Sequence, residues 1–229
     1  MIDLFKMRCI QILEFIKSNG VSSFRREYAF VNRKAVIVMK DLHEAPDRYD
    51  YLSRFDIDSM EITPEILSMN KYHHAFKNRY FKALHYLSKG YEGHAIIKEN
   101  TIIGDMWYFD PHKLNGGTYH RDLDWLGIRL PEGAVYSFDI FVIPSERGNN
   151  VSSTFQNNTM YSLRNKGYTR AYAYYWTDNV PAVWNTKVIN KWKELEKLSV
   201  SRFFWYRRVT GKSVIGHHRG TESAEKTGT

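Results

Sequence analysis

Residues 141–154 read FVIPSERGNNVSST, and they connect an apolar run that begins at Val135 to a polar stretch with helical spacing. The apolar run predicts a strand from Val135 to Ile143, which Pro144 ends. Residues 151–165 predict a helix that closes at Lys166-Gly167. A short turn lies between them. The segment is therefore predicted to be a strand–turn–helix unit.

The turn combines features that suit an anion. The first N–H groups of a helix have no partner within the helix, and the helix dipole adds partial positive charge there. Gly148 permits any backbone conformation, while Asn149 and Asn150 tolerate the left-handed region. Arg147 supplies a planar fork of donors that suits phosphate. Hydroxyl groups follow on the first helical turn, at Ser152, Ser153 and Thr154. Together they predict a pyrophosphate cradle, although the same composition also occurs in ordinary loops.

Hydrophobic periodicity predicts the remaining elements. The predicted strands are 24–31, 35–40, 93–98, 101–109, 168–177 and 200–209, and the first two should form a hairpin through residues 32–34. The predicted helices are 2–17, 64–87 and 181–198, and the second is expected either with or without a break. Residues 41–63 and 110–133 are predicted to be connections. The second connection is long for a compact domain, and such loops often carry function.

The composition limits the class of protein. With 229 residues, 43% of them hydrophobic, the chain is able to bury a sizeable core and is not globally disordered. No apolar run reaches the roughly 18 residues of a membrane span, and no signal-peptide cleavage site follows the N-terminus. The single cysteine, Cys9, excludes an intrachain disulfide and a cysteine-based zinc site. We expect a cytoplasmic protein without a membrane partner or a metal.

The chain is expected to have three parts. Residues 1–90 hold a helix, a hairpin and a helical region that belongs to the core or packs on it, residues 91–209 form the core, and residues 210–229 form a disordered tail. The formal charge is +8, and nine Lys or Arg against two Glu lie between residues 187 and 219. This basic excess indicates either a solvated face or a surface for an anionic partner. Nucleic acid is the less favoured partner.

Two motifs between residues 142 and 182 resemble those of the GNAT superfamily of acyl-CoA N-acyltransferases. The resemblance covers roughly residues 90–206. The Val-x-Pro-x-x-Arg-Gly lead-in to the family's pyrophosphate loop is present at 142–148, and its Asn-x-x-Ala signature is present at 179–182. Two positions depart from the family pattern. Asn150 stands where a second small residue is usual, and Thr186 stands where the family has a tyrosine as general acid.

The resemblance implies an α/β (mixed α+β) fold with a mostly antiparallel sheet, splayed at one parallel strand pair and covered by helices on both faces. It also implies acetyl-CoA or another acyl-CoA as co-substrate. The residues expected to hold this cofactor are Phe141, Val142, Arg147, Gly148, Asn149, Asn150, Val151, Ser152 and Asn179.

The implied reaction is direct attack of an amine on the thioester in a ternary complex. Asp139 is the candidate base, because burial among apolar neighbours would raise its pKa; pairing with a nearby Arg or Lys is the equal alternative. Tyr174, or its neighbours Tyr172 and Tyr175, is the candidate acid. The acceptor, a small polar amine, is expected at the long loop. The candidate residues there are His112, Tyr119, His120 and Trp125.

Two other functions remain open from the sequence. One is a GNAT-like protein that binds CoA or an acyl ligand without turnover, since the tyrosine position is Thr186. The other is a nucleic-acid-binding module that uses the basic C-terminal region. A homodimer is compatible with all three of these functions.

Overall fold

The computed structural model describes residues 13, 16, 17, 20, 21, 30–68, 71–113, 120–203 and 206–211. Within these ranges nine strands form one sheet. The strands are β1 (Phe30–Asp41), β2 (Asp58–Ile62), β3 (His73–His74), β4 (Glu92–Lys98), β5 (Thr101–Phe109), β6 (Ala134–Val142), β7 (Arg170–Trp176), β8 (Lys193–Phe203) and β9 (Tyr206–Thr210). The helices are α1 (Pro64–Ser68), α2 (Lys77–Ser88), α3 (Arg121–Leu126), α4 (Val151–Asn165) and α5 (Val180–Val183), which continues as a π-helical segment at Trp184–Ile189. Short 3-10 turns lie at Leu52–Phe55 and Pro144–Glu146.

The sheet is mixed and mostly antiparallel. Its strand order is β2-β4-β5-β6-β7-β1-β8-β9, and β3 pairs with β5. Two neighbouring pairs are parallel: β6 with β7, and the two-residue β3 with β5. β1 lies between β7 and β8 and pairs with both along most of its length. The part of the chain before residue 90 therefore contributes strands to the same sheet as the part after it.

Side chains on the two faces of the sheet form two apolar clusters. On β1, Ile37 faces one cluster and Val38 the other, as the two-residue period of a strand requires. The first cluster takes residues of α2 and α3, such as Ala83 and Leu126. The second takes residues of α4, among them Phe155, which is fully buried. The predicted mixed sheet with helices on both faces is confirmed.

Several predicted boundaries are wrong. The expected hairpin through residues 32–34 is a continuous strand, because each residue from Phe30 to Ile37 pairs with β8 and this pairing overrides the local turn composition. The expected helix 181–198 ends at Ile189, and residues 193–198 belong to β8, paired with β1. The helical stretch expected at 64–87 has the break that the sequence allowed, with β3 between α1 and α2.

Both predicted connections contain an element. β2 lies within 41–63, and α3 lies within 110–133. The helix expected at 2–17, most of the strand expected at 24–31, the tail from residue 212 and the candidate Tyr119 lie outside the described residues. In the part of the chain that the structure describes, no helix is both long and apolar enough to cross a bilayer.

His94 on β4 is buried in the sheet. Its Nε2 lies 3.0 Å from Ser162 Oγ on α4 and 3.9 Å from a carboxylate oxygen of Glu61. Burial, aided by the nearby Lys166 ammonium and opposed by Glu61, lowers the pKa of His94 to about 4. In the unfolded chain the pKa of a histidine is about 6.5. The unfolded state therefore takes up a proton at a higher pH than the folded state does.

We expect the unfolding free energy to fall as the pH is lowered from about 6.5 to about 4, at up to roughly 1.4 kcal/mol per pH unit from His94. The partly buried His74, whose pKa is also lowered to about 4 by desolvation, adds to the same slope. Urea titrations at several pH values measure how the unfolding free energy depends on pH. The variant His94→Gln should show a shallower slope, and an unchanged slope in that variant would contradict this assignment.

Candidate functional site

The strands β6 and β7 part after a short paired stretch. Ala134–Tyr136 pair with Arg170–Tyr172, and no further pairing joins these two fully described strands. The backbone of β6 beyond Tyr136 is therefore open on its β7 side. An opening between two parallel strands exposes N–H and C=O groups that an extended ligand can pair with, as an added strand would.

A β-bulge lies at the point where β6 leaves β7. Asp105 of β5 is opposite Phe141, whereas Trp107 is opposite Phe138, so β6 contains one residue more than its partner. Asp139 has a left-handed backbone (φ 50°), which is uncommon for a residue other than glycine. Across from the bulge, a Cβ on Gly104 would lie 2.7 Å from the Phe141 carbonyl oxygen. The two strands approach each other closely there because residue 104 has no side chain.

A buried ionic network holds the bulge. The Arg79 guanidinium, on α2, donates from Nε and Nη2 to the Asp105 carboxylate and from Nη1 to both oxygens of Asp139, at 3.0 and 3.1 Å. Lys82 Nζ and Tyr86 Oη each donate to Asp139 Oδ2 at 2.8 Å. The bulge is thus tied to β5 and to three successive turns of one helix.

The network also sets the protonation of Asp139. Burial alone would raise the pKa of this carboxyl, but Arg79 and Lys82 outweigh burial and hold the pKa well below its usual range. The prediction that burial raises the pKa of Asp139 is therefore wrong, and the ion-paired alternative is correct. A carboxylate with so low a pKa is a weak base. Arg79 and Lys82 lie before residue 90, and no local motif marks them as partners of Asp139.

The predicted anion-binding turn lines a groove of about 520 Å³. We call it the loop groove; it lies between the diverged end of β6 and the helix that follows β7. Its lining residues are Ile140, Phe141, Val142, Arg147, Gly148, Asn149, Asn150, Ser152, Ser153, Asn179, Pro181, Ala182, Trp184 and Asn185. The structure thus brings together eight of the nine residues expected to hold the cofactor. The ninth, Val151, is buried in the core beneath the helix start.

The backbone of the turn has the expected left-handed conformations. Gly148, Asn149 and Asn150 have φ values of 112°, 42° and 58°. A Cβ on Gly148 would meet nothing within 4 Å, so glycine is favoured there by its backbone angle and not by lack of space. Asn150 precedes α4 without a side-chain cap in the described structure. The first N–H groups of α4 are therefore not occupied by the side chain that would usually cap them.

Arg147 folds back against β6. Its Nε donates to the Val142 carbonyl oxygen at 2.8 Å, and its guanidinium lies 5.8 Å from the ring centre of Phe141. This contact uses one nitrogen of the fork. Asn179 has a structural role in addition to lining the groove. Its side chain accepts a hydrogen bond from the Ala182 N–H at 3.3 Å and caps α5. The Asn-x-x-Ala signature is therefore a helix cap at the edge of the groove.

The π-helical segment changes which residue faces the groove. Thr186, at the position of the family's tyrosine, is buried and does not line the loop groove, whereas Asn185 does. The Asn190 side-chain nitrogen donates to Asn185 Oδ1 at 3.0 Å and to Gln156 Oε1 at 2.7 Å. Because Asn185 Oδ1 accepts this bond, its amide nitrogen is the polar group left for the groove. Residue spacing points to Thr186 and not to Asn185, because it assumes an α-helical period that the π-helical segment does not keep.

Tyr174 lies apart from the loop groove. It packs against the first apolar cluster and lines a separate groove of about 290 Å³ with Trp125, Trp176, Arg33 and Arg207. The two tryptophan rings are stacked, 5.8 Å apart and 8° from parallel, and a guanidinium lies 4.9 Å from the centre of each ring. Burial raises the pKa of Tyr174 well above its usual range. It is therefore a poor proton donor at neutral pH.

The structure does not bring the residues predicted to bind the acceptor together in one groove. His112 Nε2 lies 3.2 Å from the Leu130 carbonyl oxygen, and its backbone N–H donates to Asp110. His120 caps α3, and its ring packs 4.4 Å from that of Phe138. Trp125 alone of the described three lines a groove with Tyr174. In the described residues, no three His, Cys, Asp or Glu lie close enough together to hold a metal ion.

Comparison with known proteins identifies the fold. No protein-family model and no curated protein matches the sequence. A GCN5-related glucosamine N-acetyltransferase region of a fungal multi-domain GH3 β-N-acetylglucosaminidase superposes with a TM-score of 0.53 and 16% identity over 86% of this chain and 23% of that one. A GCN5-related N-acetyltransferase from Sphaerobacter thermophilus superposes with a TM-score of 0.50 and 7% identity over 85% and 57%. The chain has the GNAT fold and spans less than two thirds of either protein.

The ionic network at the bulge is expected to be a major source of stability. Arg79→Met leaves Asp105 and Asp139 without their shared cation, and breaking a buried ion pair costs about 3–5 kcal/mol. Urea unfolding followed by circular dichroism measures the loss. As a matched control, Arg164→Met removes a pair to the exposed Asp47 and one hydrogen bond to the Ala45 carbonyl oxygen, and it should cost less, about 1–2 kcal/mol. Equal losses in the two variants would contradict the role of Arg79.

Proposed function

We propose that the protein is an N-acyltransferase that moves an acyl group, most simply acetyl, from acyl-CoA to the amine of a small polar acceptor. The observation that carries the proposal is the position of the loop groove. It begins at the uncapped start of α4, beside Arg147 and Gly148, and continues to the diverged end of β6 at Phe141. A diphosphate at the helix start and an extended thioester arm along β6 would fit this arrangement.

The proposed reaction is direct. The acceptor nitrogen attacks the thioester carbonyl, the new C–N bond forms, the C–S bond breaks, and the thiolate of CoA leaves. The acceptor loses one proton and the thiolate gains one. Backbone N–H groups on the open edge of β6 are the proposed donors to the carbonyl oxygen as it becomes negative.

Asp139 and Tyr174 do not suit the roles of base and acid in this proposal, because ion pairing lowers the pKa of the first and burial raises that of the second. Asp139 acts instead as a positioning residue: with Arg79 it holds the bulge that opens β6. An uncharged amine is then the attacking species. Asn185 donates a hydrogen bond to the leaving thiolate from its amide nitrogen, which the bond from Asn190 orients.

The second candidate is a protein that binds acyl-CoA without turnover. It is favoured by the absence of a tyrosine at the family's acid position, since Thr186 is buried. Both candidates predict binding of acyl-CoA in the loop groove. They differ in whether free thiol is released when an amine is present.

Binding is tested by thermal unfolding with CoA, acetyl-CoA and longer acyl-CoAs. A ligand at about 100 times its dissociation constant should stabilise the protein by roughly 2.7 kcal/mol. Arg147→Ala should reduce this stabilisation and destabilise the free protein only modestly, because in the described structure its guanidinium makes one hydrogen bond, to the edge of β6, and lines the groove. Arg129→Ala, which removes one positive charge at an exposed position outside the groove, is the control. No stabilisation by any of these ligands would reject both candidates.

Turnover is tested by measuring free thiol from acetyl-CoA with a panel of small amines, amino sugars and amino acids. Thiol release that depends on both the amine and the protein, with an acetylated amine found by mass spectrometry, supports the enzyme. Binding without release across the panel supports the second candidate.

Asn185 gives a sharper test of the proposed chemistry. A hydrogen bond to a charged group contributes about 1.5–3 kcal/mol, so Asn185→Ala should lower kcat by roughly 10- to 100-fold and leave KM for acetyl-CoA nearly unchanged. Asn185→Asp preserves the size of the side chain but removes the donor, and it should lose at least as much. Equal kcat in wild type and Asn185→Asp would show that the amide does not stabilise the leaving group.

A further inference from the structure

A second groove lies on the other side of the start of α4. We call this groove, of about 500 Å³, the lysine groove; it is lined by Lys40, Glu44, Pro46, Tyr49, Tyr51, Asn150, Ser153, Thr154, Asn157, Ile189, Asn190 and Lys191. Two of these residues, Asn150 and Ser153, also line the loop groove. A single elongated ligand can therefore extend from one groove into the other across the first turn of α4.

Lys40 is the feature of this groove that most needs explanation. It lies near the end of β1, on the same face of the sheet as α4, and only 8% of its surface is exposed. Among the described residues its ammonium has one hydrogen-bond acceptor, the Asn190 carbonyl oxygen at 3.0 Å. An ammonium has three N–H donors, and a buried charge without full pairing is costly. Burial lowers the pKa of Lys40, Glu44 opposes this effect, and Lys191 adds to it.

Lys191 is a second cation in the same groove. Its backbone is left-handed (φ 50°), as is common for the residue that follows the C-cap of a helix, here Asn190. With Glu44 as the one carboxylate in the lining, the two lysines give the groove a net positive charge. The groove is therefore suited to an anion, and specifically to one that approaches Lys40 and Lys191 together.

The rest of the lining suits a nucleoside. Tyr49 is half exposed and offers an aromatic ring to a base, whereas the ring of Tyr51, close to it in the chain, lies 5.4 Å from the Arg54 guanidinium. Thr154 and Asn157 add polar groups from successive turns of α4. The volume is within the range of about 300–1,000 Å³ that is usual for small-molecule sites. A phosphorylated nucleoside fits both the charge and the surface of this groove.

We propose that the lysine groove binds the adenosine end of acyl-CoA, with Lys40 and Lys191 paired to the phosphate monoester on its ribose. The inference rests on the proposed function, because it requires the diphosphate of the same molecule to lie at the start of α4. It also gives a function to residues before position 90: Lys40 and the segment 44–51 form one wall of the cofactor site.

The test compares two ligands that differ only in this phosphate. Isothermal titration calorimetry with CoA and with 3′-dephospho-CoA gives the affinity ratio for wild-type protein and for Lys191→Ala and Lys40→Met. We expect wild type to bind CoA at least tenfold more tightly than dephospho-CoA. Both variants should lower this ratio, while their affinity for dephospho-CoA stays near that of wild type. Lys89→Ala, which removes an exposed lysine on another surface, should leave the ratio unchanged.

The outcomes separate the inference from the proposed function. Equal binding of the two ligands by wild type, or a ratio that both lysine variants preserve, would overturn the inference and leave the acyl-CoA site intact. No binding of either ligand would reject the proposed function and the inference together. Adenosine 3′,5′-bisphosphate should compete with CoA. If it binds alongside CoA, the groove is a separate nucleotide site and the inference is wrong. Lys191 is exposed, so its variant remains informative if Lys40→Met fails to fold.

Discussion

The ionic contact between Arg79 and the two carboxylates of Asp105 and Asp139 is the constraint on which the site depends. A left-handed residue in the middle of a strand is unfavourable, and it persists only where the surrounding structure holds it. Here one guanidinium from α2 links β5 to the bulge of β6. The desolvation of three charges is offset because each carboxylate accepts hydrogen bonds from a fixed donor fork.

The bulge determines what the rest of the site is able to do. Because β6 contains an extra residue and leaves β7 after Tyr136, its backbone has an open edge beside the start of α4. The turn at Gly148–Asn150 then places the first turn of that helix, with Ser152 and Ser153, at the same opening. Neither feature alone makes a site for a long anionic thioester. The acyl-CoA site that we propose requires both, and the ionic network that holds the bulge gives Asp139 a pKa unsuited to proton transfer.

The N-terminal part of the chain completes the structure. β1 lies between β7 and β8 and so joins the C-terminal hairpin to the strands that form the opening. Its last residues lead into a segment that packs beside α4, where the Arg164 guanidinium donates to the Ala45 carbonyl oxygen at 2.8 Å. Through Lys40 and Asn190, the same strand is linked to the π-helical segment that presents Asn185. Residues distant in sequence thus meet at both grooves.

The sequence by itself determined the strand, turn and helix around Arg147 and the left-handed positions that follow, because these depend on local backbone preferences and on hydrophobic period. It also indicated the fold, through the order of elements. Only the tertiary structure decided the protonation state of Asp139 and the position of β1 within the sheet, because both depend on partners more than fifty residues away. The tertiary structure also places Asn185, and not Thr186, at the groove. Packing sets the hydrogen-bonding register of a helix, and residue spacing does not show it.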